Sequence, residues 1–119
     1  MNTIFVVDDS DTNLATAEAA LEDRYNVITV PCAEKMFLHL EKIKPNLILL
    51  DIEMPGMNGF DALEKLKTNN SWENIPVVFL TGTVDASIEE QSKKLGAVGI
   101  ITKPFSAHAL LECIQTHIK

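Results

Sequence analysis

The sequence predicts an α/β fold, doubly wound as (βα)5, with a five-stranded parallel sheet of order 2-1-3-4-5 and helices on both faces. Three observations carry that expectation. Five short apolar runs, 4-IFVV-7, 27-VITV-30, 47-LILL-50, 77-VVFL-80 and 100-II-101, are spread along the chain. They are continuous rather than alternating in polarity, as strands of a parallel sheet covered on both faces are. Each is followed by a longer segment of helical spacing, and right-handed crossovers between such units leave few topologies. The 119 residues match one ordinary domain, so residues 1–119 are expected to form a single unit.

The elements follow in order. Leu14, Ala17 and Leu21 mark the apolar stripe of the first helix, with Ser10 or Asp11 as its cap. Met36, Phe37, Leu40 and Ile43 mark the second, and Phe60, Leu63 and Leu66 the third. The fourth, 85-DASIEEQSKKLG-96, keeps only Ile88 and Leu95 as large anchors and is expected to be thinly held, with Gly96 ending it. Leu110, Leu111, Ile114 and Ile118 mark the fifth, capped by Ser106. Pro45 and Pro76 each precede an apolar run and stop a helix from continuing into it. Gly96 and Gly99 in 96-GAVG-99 read as turn residues; the phosphate-binding pattern GxGxxG is absent.

Composition narrows the function. A net charge of −7 argues against a nucleic-acid or anionic-membrane surface, both of which require a basic patch. No apolar run approaches the roughly 20 residues of a membrane span, and 1-MNTIFVVDD-9 has no basic region of a signal peptide. The two cysteines, Cys32 and Cys113, are too few for a disulfide framework and lack metal-ligand spacing. They read as small packed hydrophobes in a reducing, cytoplasmic setting. His39, His108 and His117 share no spacing, and Trp72 reads as an anchor for the loop 69-NNSWENIP-76.

Ligands of a doubly wound sheet bind beyond the C-terminal ends of its strands, so the residues at those ends form the candidate site. Strand one ends in Asp8-Asp9, strand three in Asp51, strand four in Thr81-Gly82-Thr83 and strand five in Thr102-Lys103-Pro104. In the order 2-1-3-4-5, strands one, three and four are neighbours, which brings the three carboxylates to one rim beside Thr81 and Lys103. Carboxylates so close repel one another unless one is protonated or a cation sits among them. Oxygen ligands without imidazole or thiolate suit a hard ion, Mg2+ or alternatively Mn2+. With a lysine for anionic oxygens and a hydroxyl donor, the set is apparatus for phosphoryl transfer to a carboxylate. Pro55, Gly56 and Gly59 in 51-DIEMPGMNG-59 are expected to shape a turn that leaves Asp51 accessible.

Taken together, 6-VVDDSDTN-13, 47-LILLDIEMPGMNG-59, 77-VVFLTG-82 and 102-TKPF-105 resemble the receiver domain of two-component response regulators. The strand order itself is that of chemotaxis receivers. The resemblance implies a flavodoxin-like fold, with Asp51 as phosphoacceptor. It implies that Asp8 and Asp9 form the acidic pair, and that Asp9 and Asp51 ligate Mg2+ with the backbone carbonyl of Glu53. It further implies that Thr81 is the switch hydroxyl and Lys103 the site lysine, with Pro104 following through a cis peptide bond. Glu53 and Thr83 fall at positions that tune phosphoryl lifetime. Ile100 stands where many members carry Tyr or Phe, so the aromatic partner of the switch hydroxyl is missing.

The implied donor is a phosphohistidine on a sensor histidine kinase or a phosphotransfer protein. The implied output runs through helix four, strand five and helix five to a protein partner, or to a C-terminal effector domain in a longer chain. The chain itself would then be a switch that catalyses only its own phosphorylation and dephosphorylation. Rival readings remain. A receiver fold used as an unphosphorylated interaction module keeps the fold and discards the chemistry. A Mg2+-dependent aspartyl-phosphate phosphatase finds a second acid in Glu53 but no cap domain. A flavodoxin-like electron carrier conflicts with Asp8-Asp9, which repel a flavin phosphate.

Overall fold

The computed structural model describes residues 1–118. Strands and helices alternate throughout: β1 (Thr3–Val7), α1 (Asp11–Leu21), β2 (Asn26–Val30), α2 (Ala33–Leu40), β3 (Leu47–Asp51), α3 (Gly59–Lys67), β4 (Val77–Thr81), α4 (Ala86–Leu95), β5 (Gly99–Thr102) and α5 (Ala107–His117). All strand pairings are parallel, and the order is β2-β1-β3-β4-β5, as expected.

The strand period of two sorts the core into two layers. Phe5, Val7, Ile48, Leu50, Val77 and Phe79 point to one face, where they meet Met36 and Phe37 of α2 and Leu63 and Leu66 of α3. Ile4, Val6, Leu47, Leu49, Val78 and Leu80 point to the other, against Ala17 and Leu21 of α1 and Leu110 and Ile114 of α5. The central strand β3 is buried along its whole length, with Leu47 to Leu50 at 0% exposure. Each such side chain contributes about 1.5–3 kcal/mol on leaving water, which fixes the strand's register against both layers. The outer strands are less covered: most of β2 and β5 is half-buried or exposed.

The capping chemistry is local. Ser10, rather than Asp11, caps α1 by accepting from the Asn13 N–H, and Ser106 caps α5 through the Ala109 N–H. Asn58 and Asp85 do the same for α3 and α4, two caps the sequence reading did not single out. Gly96 ends α4 at φ 92°, a left-handed conformation that only glycine takes without strain.

Three expectations need correction. Ile43 lies beyond the end of α2 and is 37% exposed. The backbone turns at Glu41 before reaching it, and Pro45 then forces an extended approach to β3. Ile118 caps α5 rather than belonging to it, though it packs on the second layer. Gly99 is the first residue of β5 and not a turn residue, because it pairs with Val78 of β4. Trp72 does anchor its loop: its ring lies 5.4 Å from that of Phe37. The fourth helix is thinly held, with Ser92 its one buried side chain and Ile88 and Leu95 half-buried.

Gly59 illustrates how closely α3 is seated on the end of β3. Its N–H donates to the Ile52 carbonyl at 2.8 Å. A Cβ there would lie 2.5 Å from the Asp51 carbonyl oxygen and 2.7 Å from the Ile52 Cα, both rigid backbone atoms. At Gly82 nothing lies within 4 Å. Gly59→Ala is therefore expected to lower stability in urea unfolding by roughly 1–3 kcal/mol through overpacking. Gly82→Ala should leave the unfolding midpoint close to that of the native sequence.

Candidate functional site

The sheet register builds the site. Val7 pairs with Leu50, so the next residues along, Asp8 and Asp51, emerge side by side at the C-terminal ends of β1 and β3. Asp51 is the last residue of β3 and is 1% exposed; Asp8 is fully buried and Asp9 is exposed. One oxygen from each of the three carboxylates lies within 4.8 Å of the others. Carried past the strand ends, the period of two puts Asp8, Asp51 and Lys103 on the α1/α5 face.

Lys103 reaches into this cluster after β5, where its N–H donates to the Thr81 carbonyl at 2.8 Å and its peptide bond to Pro104 is cis. Its ammonium lies 2.9 Å from Asp51 Oδ1 and 3.0 Å from Asp8 Oδ2, bridging the two buried acids. Asp8 is held further by the Ser10 N–H at 2.9 Å and the Asn13 side-chain amide at 3.3 Å. Asn13 was not expected among the site residues; its place in the first turn of the helix after Asp8-Asp9 is the signal that points to it.

The carboxylate of Asp51 is unevenly satisfied. Oδ1 accepts from the Glu53 N–H at 3.1 Å and pairs with Lys103, whereas Oδ2 is buried with no partner. Burial pushes the Asp51 carboxyl up to about 6; Lys103 pulls the other way, Asp8 adds to the rise, and the Glu53 N–H opposes it. For Lys103, burial acts to lower the ammonium's pKa, but its bonds to Asp51 and Asp8 outweigh it and the net shift is upward. An orphaned buried oxygen among three carboxylates fits a hard divalent cation such as Mg2+, with the waters such an ion retains.

Thr81 and its neighbours sit differently. Thr81 has the strand phase of Phe79, so the alternation turns it toward the α2/α3/α4 face. Its hydroxyl is fully buried. It lies 3.2 Å from Glu53 Oε1 and 2.9 Å from the Thr83 carbonyl, and it accepts from the Thr83 N–H at 3.1 Å. The site thus joins Glu53, Thr81 and Thr83 in one network beside the acids, a link that no local spacing announces. Ile100 is half-buried and, like Ile88 and Leu95 of α4, packs against the α2/α3 layer of the core. Cys113 is half-buried beside Gly99, where burial pushes its thiol up. His108 pairs at the surface with Glu112 at 3.0 Å.

Fold and site together define a doubly wound α/β domain with an acidic, lysine-bridged pocket at the strand ends. The chain belongs to the response regulator receiver domain family, whose model matches residues 4–115. This is a family of signalling switches in two-component regulation. The Pseudomonas aeruginosa protein PilH is 32% identical over 116 residues, covering 97% of this chain and 96% of that one. A probable cyclic di-GMP phosphodiesterase of Vibrio cholerae is 35% identical over 98% of this chain, which spans only 26% of that protein. The crystal structure of Vibrio cholerae chemotaxis protein CheY4 superposes with a TM-score of 0.95 at 26% identity, covering 99% of both chains. Among the described residues no helix is long and apolar enough to cross a membrane.

The raised Asp51 pKa has a signed consequence. A carboxyl that ionises near 4 when unfolded and near 6 when folded favours the native state in its protonated form. That contribution is complete below about pH 4 and is lost as pH rises through about 6. In chelator-treated protein, Asp51→Asn should therefore be more stable than the native sequence at pH 7.5, by on the order of 2 kcal/mol. The difference should shrink toward pH 4. Thermal unfolding across that range checks both the sign and the window.

Proposed function

We propose that Asp51 accepts a phosphoryl group from a phosphohistidine on a sensor histidine kinase or phosphotransfer protein. The observation that carries this reading is the uneven Asp51 carboxylate: Oδ1 is held by Lys103 and the Glu53 N–H, while Oδ2 keeps its lone pairs. Oδ2 attacks phosphorus in line. The P–N bond to the donor imidazole breaks with its electron pair going to nitrogen, and Asp51 becomes an acyl phosphate. Asp9, exposed beside the two buried acids, marks the solvent side of the pocket.

Each residue has a distinct part. Lys103 is already placed on Asp51 and Asp8 and offers its one remaining N–H donor to a transferred phosphoryl oxygen. Asp8, Asp9, Asp51 and the backbone carbonyl of Glu53 are the groups that would hold Mg2+. When bound, that ion supplies positive charge against the oxygens of the incoming phosphoryl group. Asn13 and the Ser10 N–H keep Asp8 oriented. Thr81 donates a hydrogen bond from its hydroxyl to a phosphoryl oxygen, and Glu53 and Thr83 set how long the acyl phosphate lasts.

Output follows from the face to which Thr81 belongs. Drawing its hydroxyl toward the phosphoryl group pulls on Thr83, and through it on the loop leading to α4. That helix is the least anchored, so α4, β5 and α5 form the surface whose partner affinity changes. The receiver of that change is a protein partner, or an effector domain attached to the C-terminal side in a longer chain. Reversing a 1:99 equilibrium takes about 5.5 kcal/mol. A few new hydrogen bonds to charged groups, at roughly 1.5–3 kcal/mol each, reach that figure.

Asp51→Asn is expected to abolish hydroxylamine-labile labelling from a small phosphodonor such as phosphoramidate in the presence of Mg2+. Undiminished labelling would place the acceptor elsewhere. Lys103→Ala should break the link between phosphorylation and the α4 response. Amide shifts in α4 that still move fully on phosphorylation would remove Lys103 from the switch. The unphosphorylated interaction module is separated by the same labelling, since it requires none.

A further inference from the structure

We infer that the side chain of Glu53 is a latch on the Thr81 hydroxyl, competing with the phosphoryl group for the single proton on which the switch depends. This rests on the phosphoryl-acceptor reading above and adds to the Glu53 side chain a role at the switch hydroxyl, separate from its part in the lifetime of the acyl phosphate.

A threonine hydroxyl has one proton to donate. Here two acceptors stand within reach of it, Glu53 Oε1 at 3.2 Å and the Thr83 carbonyl at 2.9 Å, while the Thr83 N–H occupies a lone pair at 3.1 Å. The hydroxyl is fully buried and Glu53 is exposed. The carboxylate thus reaches in from the rim to a donor that solvent does not satisfy. The Thr83 carbonyl is the nearer acceptor and Glu53 the charged one, so the two share the proton, and the carboxylate is the partner that a rotation of its own side chain can withdraw.

The backbone beneath Glu53 is pinned on both sides. Ile52 and Met54 are buried in the α2/α3 layer, and the Glu53 N–H is committed to Asp51 Oδ1. Release of the latch is therefore a side-chain rotation outward into water rather than a loop movement. A phosphoryl group on Asp51 drives that rotation twice over: it offers Thr81 an anionic acceptor and it repels the Glu53 carboxylate. Without the phosphoryl group, Glu53 holds Thr81 in its resting position and raises the threshold for switching. Glu53 is a positioning residue in this scheme.

A double-mutant cycle separates the latch from simple charge repulsion. The probe is beryllofluoride with Mg2+, a non-covalent phosphoryl mimic. Its dissociation constant is measured by NMR titration for the native chain, Glu53→Ala, Thr81→Val and the pair. A latch requires Glu53→Ala to tighten binding by a factor three- to tenfold greater when Thr81 is present than in the Thr81→Val background, where no hydroxyl remains to be freed. Equal gains in both backgrounds would overturn the latch, leaving Glu53 a source of repulsion or a water-mediated contact to the ion. No gain in either background overturns it as well. Failure of the native chain to bind the mimic would overturn the phosphoryl-acceptor reading itself, a result distinct from the other two.

Discussion

The structure turns on one ion bridge: the Lys103 ammonium set between Asp8 and Asp51 at 3.0 and 2.9 Å. Two carboxylates, one fully buried and the other 1% exposed, stand at the ends of adjacent strands in the middle of the sheet. Unpaired, they would carry a desolvation cost of several kcal/mol each and repel one another besides. Lys103 answers both problems with one charge, and does so from a segment fixed to β4 by its own backbone hydrogen bond. The compensation is incomplete. One positive charge serves two negative ones, Asp51 keeps an oxygen without a partner, and its proton affinity stays high. On the proposed reading, that deficit is what a divalent cation and a phosphoryl group would fill.

The same sheet places the acids and Thr81 on opposite faces. Alternation along the strands sends Asp8, Asp51 and Lys103 toward the α1/α5 layer and Thr81 toward the layer that contains α4. Glu53 connects the two sides: its N–H holds Asp51, and its carboxylate meets Thr81. The rigid part of the molecule is the fully buried β3 and β4, and the compliant part is α4, which buries no large side chain completely. The proposed reaction on β3 would thereby lie next to the least anchored helix.

Much of this was legible in the residues. The continuous apolar runs located all five strands; in β1, β3 and β4 this is because a strand buried on both faces must be apolar at nearly every position. The doubly wound order then placed Asp8, Asp51 and Lys103 on one rim. The misses are of another kind. Ile43 fits a helical stripe that the chain leaves early, since the turn before Pro45 outweighs periodicity. Gly99 reads as punctuation but extends β5, because a partner strand supplies its hydrogen bonds. The phase of Thr81 relative to Asp51 was available from the strand period, and its consequence was not, because that depends on which loop covers it.

By itself the sequence determined the layers, the strand ends and the identity of the acids, lysine and hydroxyl gathered there. Those follow from hydrophobic periodicity and chain connectivity, which act locally or along the whole chain. Only the tertiary structure decided how the charges divide: Lys103 on two acids at once, Asp51 Oδ2 left over, and the Glu53 carboxylate on a hydroxyl 28 residues away. Such contacts depend on loop paths and side-chain rotamers at the sheet's edge, where differences of an ångström decide whether a hydrogen bond exists.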